Sequence, residues 1–274
     1  MINALSIDLE YWWSIELLNG YVPDKINDLV YESVQPLLNL LDKYNIKSTF
    51  FVLGMLAEKY PELIEDIYHR GHEIASHAYS HRTLYNLGEQ GFEEEIIKSK
   101  KILYKYDPIG FRAPSFSINN DTRWAFQILK RNGFKYDSSI FPVKTMLYGV
   151  PGAPLCIYRP SEEDVSQHDP NGRITEFPLT VLNIGRLNLP ISGGFYLRII
   201  PFRLLKLCLF QVNKKRPAIL YVHPWETFHG IPRINISPSS RFITYYGISN
   251  ALAKLESLLI EFKFSTIRDV LDEI

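Results

Sequence analysis

The stretch Glu32–Leu53, ESVQPLLNLLDKYNIKSTFFVL, holds one helix and one strand in succession. Its apolar residues recur at spacings of three and four between Val34 and Leu41, which predicts an amphipathic helix over 32–44. After a short polar connection, the run STFFVL at 48–53 predicts a buried strand. A helix that leads directly into a buried strand is typical of a repeated βα unit.

The same alternation of short apolar runs and helical periodicity extends along the chain. Further strands are predicted at Ala4–Asp8, Glu73–Ser76, Gly110–Arg112, Lys135–Ser138, Arg173–Phe177, Ala218–Val222 and Phe264–Thr266. Further helices are predicted at Pro61–Arg70, Gln90–Tyr104, Thr122–Asn132, Pro201–Asn213 and Ile248–Phe262. This order predicts an α/β fold with a mainly parallel sheet. No repeat or linker divides the sequence, so we expect one domain over 1–274, with a loop-rich insertion at 139–172.

Length and charge restrict the classes of protein to which the chain can belong. Its 274 residues are enough to bury a core without disulfide or metal staples. Lys plus Arg number 30 and Asp plus Glu number 30, so no net positive field attracts nucleic acid or an anionic membrane. The cysteines, Cys156 and Cys208, lack the spacing of a metal site or a disulfide framework. We see no secretory signal and no apolar run long enough to span a membrane, so we expect a cytoplasmic protein.

Two histidines follow the third predicted strand, in the segment SHAYSH at 76–81. Side chains at positions i and i+4 of a helical turn lie on one side, so His77 and His81 could face one metal ion. A pair with this spacing also occurs without any metal, and the pair alone leaves both interpretations open.

Two carboxylates, Asp8 and Glu10, lie at the end of the first predicted strand. In barrel enzymes, active sites form at the carboxyl ends of the strands, and a turn there can aim both carboxylates at a metal. A solvated pair of acids is the alternative. Trp12 belongs to the run YWW at 11–13, which is suited to stacking on sugar rings or to partial burial in the core.

Two more polar motifs stand at predicted strand ends, GFRAPS at 110–115 and YVHPWE at 221–226. They add Arg112 and His223 to the two carboxylates and the histidine pair. Together these groups supply three metal ligands, a general base and a general acid, which is the inventory of metal-assisted hydrolysis.

Taken together, the motifs resemble the polysaccharide deacetylases, the NodB-homology carbohydrate esterases, from residue 5 to about residue 270. The resemblance is greatest to the branch associated with bacterial exopolysaccharide biosynthesis. It rests on segments that occur in the same order, namely SIDLEYW, SHAYSH, GFRAPSFSI, YDSSIFP, EFPLT, SGGFYLR, YVHPWE and FSTIRDVL. It implies a distorted (β/α) barrel of seven strands, and association with glycan-assembly machinery would follow from that branch.

The resemblance also implies a role for each matching residue. Asp8 is expected to be the catalytic base, oriented by Arg112, and His223 the general acid, paired with Asp137. Glu10, His77 and His81 are expected to hold a divalent metal, with Zn²⁺ ahead of Co²⁺, Ni²⁺, Mn²⁺ or Fe²⁺. The backbone N–H of Ser115 is expected to contribute to an oxyanion hole. The residues expected to bind substrate are Trp12, Pro114, Tyr221 and Trp225.

Three departures from the family pattern bear on specificity. The first motif of the family has adjacent aspartates, whereas Leu9 separates Asp8 from Glu10 here. Ser115 stands where an aromatic residue is usual, and Tyr221 where an apolar residue commonly lines the acetyl-methyl pocket. Metal choice and acyl specificity therefore stay open.

The sequence thus predicts a metal-dependent hydrolase that removes N-acetyl groups from an N-acetylated sugar in a polysaccharide or oligosaccharide. Two alternatives remain. One is an amide or imide hydrolase of the same fold that acts on a small nitrogen compound. The other is a non-catalytic glycan-binding protein, which is disfavoured because the base, the acid and all three ligands are present.

Overall fold

A computed structural model describes residues 1–18, 21, 27–145, 148–185 and 187–274. Its strands are β1 Ile2–Leu9, β2 Thr49–Val52, β3 Glu73–Ser76, β4 Gly110–Phe111, β5 Tyr136–Asp137, β6 Thr175–Glu176, β7 Val181–Ile184, β8 Leu187–Pro190, β9 Ile219–Val222 and β10 Lys263–Ser265. Its helices are α1 Val30–Lys43, α2 Gly54–Lys59, α3 Pro61–His69, α4 Leu84–Leu103, α5 Ala125–Arg131, α6 Gly194–Ile199, α7 Phe202–Asn213, α8 Pro238–Tyr245, α9 Ile248–Glu261 and α10 Ile267–Asp272.

Seven parallel strands, β9 and β1 through β6 in that spatial order, form a curled half-barrel. β1 pairs with β2 and β9, and the short β10 pairs in parallel with the first residues of β1. β1 is buried over almost its whole length because helices cover the sheet. The predicted seven-stranded (β/α) barrel is confirmed.

The predicted helices are present with shifted ends, whereas α2, α6 and α8 were not predicted. In α1, the predicted stripe at Val34, Leu37, Leu38 and Leu41 is fully buried. α4 begins at Leu84, six residues before the predicted start, and Gly88 interrupts it with a non-helical backbone at φ +64°. The regular periodicity of the sequence resumes only after that glycine, which explains the late predicted start. No described helix is both long and apolar enough to span a bilayer.

The chain between β5 and β9 differs most from expectation. The predicted insertion includes residues 146 and 147, which lie outside the described residues; the described part of 138–174 contains no helix and no regular strand. The antiparallel hairpin β7–β8 was not predicted, and the segment SGGFY leads into α6. Gly193 has φ +108° and Gly194 opens the helix, so the first of these glycines makes the turn into α6.

Candidate active site

The carboxyl ends of β1, β3, β4 and β9 bring four sequence motifs to one cavity. The residues that line this cavity include Asp8, Glu10, His77, His81 and His223. These side chains lie at the carboxyl ends of parallel strands or in the loops that follow, which is why distant segments of the sequence meet at one edge of the sheet.

Glu10, His77 and His81 form a cluster suited to one metal ion. Their ligand atoms all lie within 4.8 Å of one another. The Oε2 atom of Glu10 is 2.6 Å from His81 Nε2 and 3.9 Å from His77 Nε2. Two imidazoles and one carboxylate match the ligand set of a catalytic zinc site, in which a fourth position stays free.

The backbone of the histidine motif differs from the predicted helical turn. The motif is a loop in which Ala78 and His81 both have left-handed backbone, at φ +61° and +64°. Glu95 of α4 holds this loop, since its Oε2 accepts hydrogen bonds from the N–H groups of Tyr79 and Ser80 at 3.0 and 2.9 Å. The two imidazoles therefore converge through a constrained loop, the kind of strain often found at functional sites.

His77 is prepared to act as a neutral ligand through Nε2. Its Nδ1 lies 2.7 Å from the carbonyl oxygen of Arg112, so the ring donates through Nδ1 and keeps Nε2 free. Burial lowers the pKa of His77 to about 3, with a further contribution from the neighbouring His81. A neutral imidazole is the form that binds a metal.

Asp8 is fixed by a fully buried arginine. Nη1 of Arg112 lies 2.6 Å from Asp8 Oδ1, and the same nitrogen donates to Ser6 Oγ at 2.8 Å. The other edge of the guanidinium donates to the carbonyl and the hydroxyl of Ser138, each at 2.8 Å. Oδ1 of Asp8 is thus engaged, while Oδ2 lies 3.9 Å from His223 Nε2.

His223 is paired with Glu226. Its Nδ1 is 2.8 Å from Glu226 Oε2, and Oε1 of the same carboxylate accepts from Arg198 Nη2 at 2.9 Å. Burial acts to lower the pKa of His223, but the carboxylates of Glu10 and Glu226 outweigh it and raise this pKa to about 9. Burial likewise opposes ionisation of Glu226, yet Arg198 and His223 bring its pKa down to about 2.

The predicted pairing of Asp137 with His223 is wrong. Asp137 is fully buried at the end of β5, and its oxygens accept from the hydroxyl and the N–H of Ser139 at 2.7 and 3.1 Å. Ser139 Oγ in turn accepts from the N–H of Ala113 at 2.8 Å. Asp137 therefore supports the segment that leads to Ser115. Glu226 was not predicted to be the partner of His223. Its position three residues later in YVHPWE could have indicated the pairing, because residues this close in sequence can meet on one turn.

Ser115 lies where a backbone donor could face the cavity. Ser115 and Phe116 have left-handed backbone at φ +51° and +47°, and both line the cavity. The N–H of Ser115 donates to no other residue in the described part of the chain. Tyr221 also lines the cavity, and its ring centroid is 5.0 Å from that of Phe116. Tyr148 and Phe195 complete this aromatic wall and were not predicted.

The other predicted substrate contacts need correction. Trp12 is 1% exposed, and its Nε1 donates to the carbonyl of Asn27, so it is a core residue. Pro114 is buried and is not among the described residues that line the cavity. Trp225 does line it, but its ring stacks on His223 with centroids 5.5 Å apart. Since its Nε1 also donates to Glu10 Oε1 at 3.4 Å, Trp225 supports the site instead of offering an open sugar platform.

Comparison with known families divides the chain into two parts. Residues 25–136 match the family model for polysaccharide deacetylase, and residues 138–272 match that for a domain of unknown function (DUF3473). His77, His81 and Arg112 fall within the first region, and His223 and Glu226 within the second. The cavity is therefore built from residues of both regions.

Individual relatives agree with the first match. A peptidoglycan-N-acetylglucosamine deacetylase of Bacillus cereus is 38% identical over 98 residues, which is 34% of this chain and 36% of the relative. A peptidoglycan deacetylase of Helicobacter pylori is 32% identical over 107 residues, 38% of this chain and 36% of the relative. The chain thus spans little more than a third of these relatives.

Similarity in three dimensions extends further. The structure of a Mycobacterium smegmatis protein classed with the polysaccharide deacetylases superimposes with a TM-score of 0.66 at 19% identity. That superposition covers 100% of this chain and 89% of the other. Because the sequences are only 19% identical, this structural similarity establishes the fold of the chain and not its activity.

Proposed function

We propose that this chain, whose residues 25–136 match the polysaccharide deacetylase family, hydrolyses the N-acetyl group of an N-acetylated sugar in a saccharide chain. The observation that carries the proposal is the facing arrangement of Asp8 and His223 beside the cluster of Glu10, His77 and His81. Asp8 Oδ2 and His223 Nε2 lie 3.9 Å apart, so one carbonyl group bound beside the cluster would be within reach of a base and an acid, as amide hydrolysis requires.

The ligand cluster fits a divalent metal, and we propose Zn²⁺. Zinc prefers imidazole nitrogen and carboxylate oxygen ligands. The cluster offers the buried carboxylate of Glu10, the Nε2 atom of His77, whose Nδ1 is occupied by a hydrogen bond, and the nearby Nε2 atom of His81. When bound, such an ion supplies polarisation of the acetyl carbonyl and lowers the pKa of an attacking water to roughly 7.

The side chains and backbone of the site would provide proton transfer and oxyanion stabilisation. Asp8 Oδ2 takes a proton from the attacking water, while Arg112 keeps Oδ1 in place. The Ser115 N–H is available to the oxyanion that develops on the acetyl oxygen, an interaction worth about 3–4 kcal/mol in related chemistry. His223 Nε2 gives a proton to the departing nitrogen as the C–N bond breaks. Acetate and a free sugar amine leave.

Two features support a sugar substrate. The relatives from Bacillus cereus and Helicobacter pylori are named for peptidoglycan, whose N-acetylglucosamine is named in the first of them. The cavity wall of Phe116, Tyr148 and Tyr221 is aromatic, and the faces of such rings suit an acetyl methyl group. A role in exopolysaccharide or envelope glycan synthesis, alongside glycan-assembly machinery, rests on the motif resemblance.

The test is acetate release from an N-acetylglucosamine oligomer by metal-stripped protein, before and after Zn²⁺ is added. We expect release only after metal addition, and a Glu10→Gln variant should need far more metal for the same rate. Ring opening of small cyclic amides, without acetate release from the oligomer, would support the alternative hydrolase. Sugar binding with no release under any metal would refute the proposal.

A further inference from the structure

Helix α7 presents an apolar face to solvent as well as to the core. Leu205, Cys208, Leu209 and Val212 are buried, as expected for a helix that covers the sheet. On the opposite side, Leu204, Leu207 and Phe210 are 51%, 53% and 56% exposed. They are spaced three residues apart, so they form one ridge along the helix surface.

The hairpin β7–β8 lies beside this helix and is also apolar. Arg216, just after α7, donates to the carbonyl of Val181 at 2.7 Å, and Leu182 packs against the core cluster that holds the buried face of α7. Leu182 pairs with Leu189, and Ile184 with Leu187, so the four side chains share one face of the hairpin. Of these, Ile184, Leu187 and Leu189 are exposed.

The sequence segment that forms these elements carries charge of one sign, although Arg198 within it is buried against Glu226 and does not reach this surface. Residues 177–225 contain seven Lys and Arg residues and no Asp or Glu, although the whole chain is neutral. Arg203, Lys214 and Lys215 are exposed at the two ends of α7, and the ammonium of Lys214 lies 5.2 Å from the ring centroid of Phe210. Lys206 is paired with Glu261 of α9. The overall balance of charge therefore conceals a local basic region.

We propose that the outward face of α7 and the adjacent hairpin form a surface that binds an anionic lipid bilayer. Exposed Leu, Ile and Phe side chains flanked by Lys and Arg are the composition of helices that lie in the membrane interface. Apolar side chains insert below the headgroups, while the cations meet their phosphates. The inference is independent of the proposed hydrolysis, because no residue of the cavity takes part.

The test is co-sedimentation of the whole protein with phosphatidylcholine vesicles, with and without phosphatidylglycerol. We expect binding to the anionic vesicles that weakens as salt is added. The double substitution Leu207→Ser and Phe210→Ser should lower the partition constant about tenfold or more, because two exposed apolar side chains no longer insert. The double substitution Lys214→Glu and Lys215→Glu should lower it about fivefold or more for each charge.

Two matched controls separate this surface from general effects. Ile97→Ser removes an apolar side chain that is 53% exposed on α4, and it should leave vesicle binding unchanged. Asp8→Asn should also bind vesicles normally. Failure of the wild-type protein to bind anionic vesicles, or binding that survives the Leu207→Ser and Phe210→Ser pair, would overturn the proposal. So would self-association that this pair abolishes, which would make the face an interface between copies.

Discussion

Replacing Glu226 with Gln tests the unexpected partner of His223. The carboxylate bridges His223 Nδ1 and Arg198 Nη2, and all three side chains are buried or nearly so. Gln keeps the size of the side chain and removes its charge. The buried guanidinium then loses its counter-ion, and the imidazole exchanges a charged acceptor for a neutral amide.

The pKa of Glu226 gives the scale of the effect. It falls from the ordinary 4.5 to about 2 in the folded protein. At about 1.4 kcal/mol per pKa unit, ionised Glu226 stabilises the fold by about 3 kcal/mol. Because the folded pKa is depressed, this contribution is present above pH 4.5 and is lost as the pH falls towards 2. We therefore expect the variant to be about 3 kcal/mol less stable near pH 7, and the difference to shrink below pH 4.5.

Activity should fall further than stability alone explains. Without the Glu226 carboxylate the acid His223 is no longer held protonated by that charge, so kcat for acetate release should drop about 10²-fold. Urea unfolding from pH 7 to 3 and kcat on fully folded protein measure the two effects. Glu256→Gln, which removes a half-exposed partner of Lys43, is the control and should resemble wild type. An unchanged kcat, or a stability difference that does not narrow in acid, would refute the assignment.

Three further predictions concern neighbouring features. Gly194→Ala would place a Cβ 1.7 Å from Glu226 Oε2, so kcat should fall about tenfold or more, whereas Gly91→Ala, with only ordinary contacts, should not change it. His81→Ala should weaken Zn²⁺ binding at least about 100-fold in a chelator competition, since one of three ligands is lost; an unchanged affinity would place the metal elsewhere. Burial lowers the pKa of His72 to about 4, so wild-type stability should decline by up to about 3 kcal/mol from pH 6.5 to 4. His72→Asn should make that decline smaller. If urea unfolding shows that both proteins lose the same free energy of unfolding between pH 6.5 and 4, the prediction is wrong.

Much of the fold could be predicted because its signals are local. The stripe of α1 and the apolar run of β2 follow from spacing alone, and both are buried as expected. The hairpin β7–β8 was missed although Gly185 stands at its turn, because its two strands have only four residues each and the polar alternation is limited to the pair Asn183 and Asn188. α4 was predicted too short because its first turns precede a glycine with left-handed backbone.

The site was predictable where each residue directly follows a strand. Asp8 is near the end of β1, and His77, Arg112 and His223 directly follow β3, β4 and β9. Asp8, His77 and His223 line the cavity, and Arg112 reaches it by holding Asp8. The choice between Asp137 and Glu226 depends on which carboxylate reaches Nδ1 of His223, a matter of side-chain direction that strand order does not specify. The prediction that Trp12 binds substrate was wrong for a similar reason, because an aromatic side chain at a strand end can point into the core as easily as towards the cavity.

The most direct measurement compares Asp8→Asn with wild type for Zn²⁺ binding and for acetate release from an N-acetylglucosamine oligomer. Asp8 is not among the three ligands, and Asn still offers an oxygen to Arg112. The account predicts that the variant binds Zn²⁺ nearly as well as wild type and releases acetate at least about 10²-fold more slowly. Acetate release at the wild-type rate by the zinc-loaded variant would contradict the assignment of Asp8 as the base and with it the proposed mechanism.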